Sequence, residues 1–128
     1  MNKVLIDTSV WIEYFAGKST MAILDELIDQ DRISVNQLIL SELLPHILIK
    51  KEKELVNILK AIDVIPLNIR WDIIIEYQVK NIRNGINKVG IPDLIILDNC
   101  IQNNIELFTL DKHFNLMNKI HKVRLFQI

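Results

Sequence analysis

An α/β fold, a mostly parallel sheet of about five strands flanked by helices, is what this sequence predicts, and three observations predict it. Short β-rich runs alternate with segments of helical apolar spacing, with no repeat, low-complexity stretch or linker between them. Half of the 128 residues are hydrophobic and only three are Gly and three Pro, so the chain is loop-poor. At that length it can bury about two thirds of its unfolded surface, and residues 1–128 are expected to form a single domain. Finally, Asp7 and Asp111 each follow a β-rich run and precede a helical pattern, which is how open parallel sheets present chemistry at their carboxyl edge.

The strands are predicted at residues 2–7, 33–35, 62–66, 105–109 and 122–127. Ser9 to Phe15 forms a short helix broken by Gly17, and Ser19 or Thr20 caps the next. In that second helix Met21, Leu24, Leu27 and Ile28 make an apolar stripe, leaving Asp25, Glu26 and Asp29 as a solvated face. Asn36 caps a third helix that is apolar nearly all round, with Glu42 as its anomaly. Pro45 removes an amide donor and crowds the Ser41 carbonyl, predicting a kink or an early end there. The lysine and glutamate run at 50–54 starts another helix; Asn68 caps the longest, about 69–83, and Asn84-Gly85 stops it. In Ile91-Pro92-Asp93, Pro92 suits the first helical position and Asp93 a first turn whose dipole favours its charge.

A formal charge of −1 argues against a strongly basic nucleic-acid binder. If four of the 16 acids share one pocket, however, 15 Lys and Arg face only 12 Asp and Glu elsewhere. Lys80, Arg83 and Lys88, or Lys112, Lys119, Lys122 and Arg124, then read as cationic tracks or as ordinary solvated charge. Cys100 stands alone, which excludes an intramolecular disulfide and fits a buried thiol. The early Asp7 leaves no room for a signal peptide, and the interrupted apolar stretch 38–49 is too short to span a bilayer, so a cytoplasmic protein without membrane partners is expected.

Four acids, Asp7, Glu42, Asp93 and Asp111, read together as a metal site. Taken singly, Asp7 (or Thr8), Asp93 and Asp111 each have the simpler role of helix cap or dipole partner. Glu42 has none: it is mid-helix among Leu38, Pro45 and His46, where no orphan amide awaits it and a lone carboxylate is costly. Carboxylates ~4 to 5 Å apart repel by about 3 to 4 kcal/mol at an effective dielectric near 20, so four grouped acids raise one another's pKa or recruit a divalent ion. An all-oxygen set with no Cys and no suitable His pair selects Mg²⁺ or Mn²⁺, one ion or two, over zinc. Such ions activate water against a phosphodiester, which predicts cleavage to a 5′-phosphate and a 3′-hydroxyl with no protein nucleophile.

Four blocks carry a family resemblance: Leu5-Ile6-Asp7-Thr8-Ser9-Val10-Trp11-Ile12, Ser41-Glu42-Leu43-Leu44, Pro92-Asp93-Leu94-Ile95-Ile96 and Phe108-Thr109-Leu110-Asp111-Lys112-His113-Phe114. In this order they resemble the PIN domain over nearly the whole chain, and at this length most resemble the toxin of VapBC-type toxin–antitoxin pairs. The resemblance implies a metal-dependent endoribonuclease restrained by a small cognate antitoxin, with Asp7, Glu42, Asp93 and Asp111 binding metal and Thr8, Ser9 and Thr109 as polar supports. It also implies a homodimer formed through early helices, with Trp11, Tyr14 and Phe15 as a subunit contact rather than a base-stacking surface. The chain departs from the family at His113, where many PIN domains carry another acid; this weakens the case for a second ion and leaves His113 as a phosphate contact or a surface histidine. The alternatives are a free-standing RNA-processing nuclease, an inert scaffold, and a receiver-like Mg²⁺-binding module. The last needs an acceptor aspartate ending a central strand, whereas Asp63 begins its strand. No GxxxxGK[ST] loop supports an NTPase, and the RNA target is not legible.

Overall fold

The structure, a computed structural model, describes residues 2–17 and 21–127. Its elements run β1 (Val4–Ile6), α1 (Thr8–Phe15), α2 (Met21–Asp29), β2 (Ile33–Val35), α3 (Gln37–Ile49), α4 (Lys53–Lys60), β3 (Asp63–Val64), α5 (Trp71–Arg83), α6 (Ile91–Asn103), β4 (Glu106–Phe108) and α7 (Lys112–Met117). All strand pairs are parallel, in the order β3-β2-β1-β4. Val4, Leu5 and Ile6 are fully buried on both faces of the sheet, as parallel strands covered by helices require. The register sets Val4 against Ile33 on one side and Glu106 on the other, and Ile6 against Phe108.

The expected fifth strand is reduced to one bridge. Leu125 pairs with Leu107 in the parallel sense, through Leu107 N–H to the Arg124 carbonyl (2.9 Å) and Phe126 N–H to the Leu107 carbonyl (2.8 Å). Arg124 donates through its guanidinium to the Asn104 carbonyl, and the segment pairs with β4 only at this bridge among the described residues.

Several local readings hold for stated reasons. Asn36 Oδ1 accepts from Ile39 N–H and caps α3, Gly17 and Gly85 take the left-handed φ of +73° and +75° that ends α1 and α5, and Cys100 is buried. The Ser19 or Thr20 cap falls outside the described residues. Others are corrected. Asn68 does not cap α5: it exchanges hydrogen bonds with Gln102, and the helix begins after Arg70 with no side-chain cap. Pro45 does not end α3, which runs on to Ile49. Pro92 occupies the second position of α6, after Ile91, which still lies within the turn whose amides need no helical partner. Trp11 is no subunit contact: it is wholly buried, packed edge-on to Tyr14 and tilted against Phe15 within its own chain. Among the described residues no helix is long and apolar enough to cross a membrane.

Candidate metal centre

The strand order reverses direction between β1 and β4, because the chain leaves β1 toward β2 and returns to β4 on the opposite side. That switch point opens a crevice at the carboxyl ends of two neighbouring strands, and Asp7 and Asp111 stand at its lips. Asp7 is almost fully buried. Its Oδ2 accepts from Ser9 Oγ and from Thr109 Oγ1, each at 2.8 Å, instead of capping α1. Ser9 Oγ in turn accepts from Leu110 N–H (3.0 Å), and Thr109 Oγ1 from Asp111 N–H (3.0 Å). The loops after β1 and β4 are thus tied together through the two hydroxyls and the Asp7 carboxylate.

Asp111 does cap α7, with Oδ1 accepting from His113 N–H at 2.9 Å, and the His113 Nδ1 lies 3.3 Å from the same oxygen. Asp93, in the first turn of α6, faces this pair: one donor atom each of Asp93, Asp111 and His113 lie within 4.8 Å of one another. Burial raises the Asp93 carboxyl to about 6, helped by the charges of Asp111, Asp7 and, more weakly, Glu42; only His113 opposes them. Excess negative charge collected at one point, with free carboxylate oxygens and one imidazole, is a donor set that fits a divalent cation.

Glu42 is placed differently from the expectation. It is exposed on α3, not buried among apolar neighbours, so no desolvation cost demands a partner for it. It accepts a hydrogen bond from Thr8 Oγ1 (3.1 Å) and belongs to the rim: it stands outside the cluster of Asp93, Asp111 and His113. Thr8 and Glu42 also line a groove of about 560 Å³ between α1 and α3, whose walls include Ile12, Phe15, Leu43 and Ile47. Lys80, Arg83, Lys88, Lys112, Lys119 and Lys122 are all exposed.

Sequence reasoning missed the polar network behind the crevice. Asp98, buried on α6, receives Arg70 through two guanidinium nitrogens, Tyr77 Oη (2.9 Å) and Gln102 Nε2 (2.7 Å). Burial pushes its carboxyl up, but these bonds outweigh burial and hold it below the usual range. Asn99 joins α6 to Asn36 (3.0 Å) and to the Pro66 carbonyl (3.0 Å). An acid inside the apolar run from Leu94 to Cys100 was the available signal.

A family model described as the PIN domain matches residues 4–120. No curated protein matches the sequence. Among solved structures, a chain of VapBC2 from Rickettsia felis, bound to a promoter DNA fragment, superposes with a TM-score of 0.74 at 17% identity, over 96% of both chains. A chain of DNA-bound VapBC from Salmonella typhimurium gives 0.75 at 16%, over 98% of both. FitAcB from Neisseria gonorrhoeae gives 0.70 at 20%, over 97% of this chain and 96% of that one. At these identities the likeness is one of fold. The family match itself runs from the first residue of β1 to beyond α7 and takes in all four acids, and the chain belongs to the PIN domain family.

Proposed function

We propose that this protein is a Mg²⁺- or Mn²⁺-dependent endoribonuclease and the toxin of a VapBC-type toxin–antitoxin pair. The observation that carries the reading is the convergence of Asp93 on Asp111 and His113 at the sheet's switch point, with Asp7 and Glu42 near enough to raise the Asp93 carboxyl further. Asp7, Asp93 and Asp111 would hold the ion, and Glu42, from the rim, would join them directly or through water. When bound, one or two such ions lower the pKa of a water and polarise a phosphoryl oxygen. Ser9 and Thr109 aim the Asp7 carboxylate by occupying its Oδ2, which leaves Oδ1 for the ion. Thr8 holds Glu42 toward the crevice. Among the described residues no histidine pair flanks the site to activate a ribose hydroxyl, and with water as the nucleophile the cut would leave a 5′-phosphate and a 3′-hydroxyl.

The antitoxin reading is supported by the fold neighbours, which are VapBC assemblies by name, and by the groove that Thr8 and Glu42 line together with Ile12, Phe15, Leu43 and Ile47. A partner segment with apolar side chains in the groove and a basic residue against Glu42 would displace RNA or metal. Homodimerisation belongs to the same reading, and α5 supports it better than α1. Trp71, Ile75, Val79 and Ile82 are exposed along one helical stripe, an apolar face that a second copy can cover about a two-fold axis.

The test is RNA cleavage by the purified protein with Mg²⁺ or Mn²⁺ and with EDTA, followed by sequencing of the ends. EDTA should abolish cutting, and the products should carry 5′-phosphates. Robust cleavage in EDTA, or cyclic phosphate ends, rules the mechanism out. Expression with and without the neighbouring small gene then separates a toxin from a processing nuclease.

A further inference from the structure

We infer that His113 is itself a ligand of the ion, so that the centre takes a mixed carboxylate and imidazole donor set and prefers Mn²⁺ to Mg²⁺. The inference rests on the metal-dependent reading above but does not follow from it, since an all-oxygen set would serve hydrolysis equally well.

The geometry points this way for three reasons. His113 is half-buried in the first turn of α7, with its backbone N–H fixed to Asp111 Oδ1 at 2.9 Å, so the ring is carried on a short, tethered stem. Its Nδ1 lies 3.3 Å from that same oxygen, longer than the 2.7 to 2.9 Å of a charge-assisted N–H···O bond. An octahedral ion with bonds of about 2.1 Å sets adjacent ligands about 3.0 Å apart and opposite ones about 4.2 Å apart. The donor atoms of Asp93, Asp111 and His113 lie within 4.8 Å of one another, so small side-chain rotations bring all three onto one ion.

The chemistry then separates the two cations. Mg²⁺ favours oxygen donors and keeps much of its water shell, so a nitrogen adds little to its binding. A first-row transition ion gains from imidazole and still accepts carboxylates. An imidazole in the site also leaves it one negative charge poorer than a further acid would, which lowers the electrostatic attraction for either ion equally and so makes ligand type the discriminating factor.

Mn²⁺ and Mg²⁺, each added alone to the metal-free protein, test this. Pulsed electron paramagnetic resonance of bound Mn²⁺ should show modulation from a directly bonded imidazole nitrogen in the wild type and none in His113→Gln. The ratio of Mn²⁺ to Mg²⁺ affinity, measured by calorimetry, should fall roughly tenfold or more in His113→Asp, which restores an all-oxygen set. Tight Mn²⁺ binding without nitrogen modulation, or an unchanged ratio in His113→Asp, overturns the ligand role while the metal centre stands. Absence of Mn²⁺ binding by the wild type sinks both readings. The wild-type spectrum alone decides if a variant fails to fold.

Discussion

Burial, and then the charges of Asp111 and Asp7, lift the carboxyl of Asp93 from 3.8 to about 6, so its ionisation works against the fold between those values. In that window the folded state binds the extra proton. Stability of the metal-free protein therefore falls as pH rises from about 4 to about 6, and the penalty is complete above that. Asp93→Asn removes it. In EDTA at pH 7 the variant should be more stable than wild type by about 1 to 2 kcal/mol, once the shift is discounted for solvent screening of the half-exposed carboxyl and for about 0.3 to 1 kcal/mol of lost helix-dipole stabilisation. Mn²⁺ should reverse the order, because an ion that binds only the folded state raises the melting temperature of wild type further than that of a variant lacking a ligand. Thermal melts with EDTA and with Mn²⁺ check both; a variant less stable in EDTA and equally stabilised by Mn²⁺ would mean that Asp93 is an ordinary first-turn acid. Ser9→Ala and Thr109→Val remove donors that orient Asp7, and each is expected to weaken Mn²⁺ binding by about 10- to 100-fold in calorimetry with little change in fold.

Helices α3 and α6 hold the network behind the site, and they separate what the residue pattern discloses from what it hides. Asn36→Ala deletes the cap of α3 and strips Asn99 of a buried partner, a cost of about 2 to 4 kcal/mol that chemical denaturation will read. The cap itself was visible in the sequence, as were Asp111 capping α7, the stop at Asn84-Gly85 and the alternation of strands with helices, because each depends on neighbours in the chain. Long-range partners are not local. The argument that a carboxylate in an apolar helix needs a partner was sound but belonged to Asp98 rather than to Glu42, since helix position alone does not say which face meets solvent. Asn68 was read as a cap for want of any sign that Gln102 would lie beside it, and Trp11 as a contact because aromatic residues suit interfaces and cores alike. Asp98 also has a pH signature opposite to that of Asp93. Its depressed pKa stabilises the fold above the ordinary value of 3.8 and is lost as pH falls below it. Arg70→Ala should lower the melting temperature at pH 7 and flatten the acid limb below about pH 4. On α5, Ile75→Glu places a charge in the exposed apolar stripe, and sedimentation should show a monomer, against the dimer proposed for wild type.

At the scale of the whole molecule, the crevice joins two stretches of chain that lie almost at opposite ends of the sequence. Val4 pairs with Glu106, and Asp7 is bonded to Thr109 across 102 positions. Closing so long a loop is thermodynamically mild, since each doubling of loop length adds only about 0.6 kcal/mol, but it cannot begin before both ends exist. A ribosome adding about 5 to 20 residues per second incorporates Asp7 at least about 5 s before Thr109. Chains stopped before β4 should therefore bind no Mn²⁺, which calorimetry on a chain ending at residue 104 would check. For the ribonuclease proposed above, made in the presence of its own message, this ordering would be a safeguard in time: an unfinished copy would be unarmed, and the transcript being read would not be at risk from the polypeptide still growing on it.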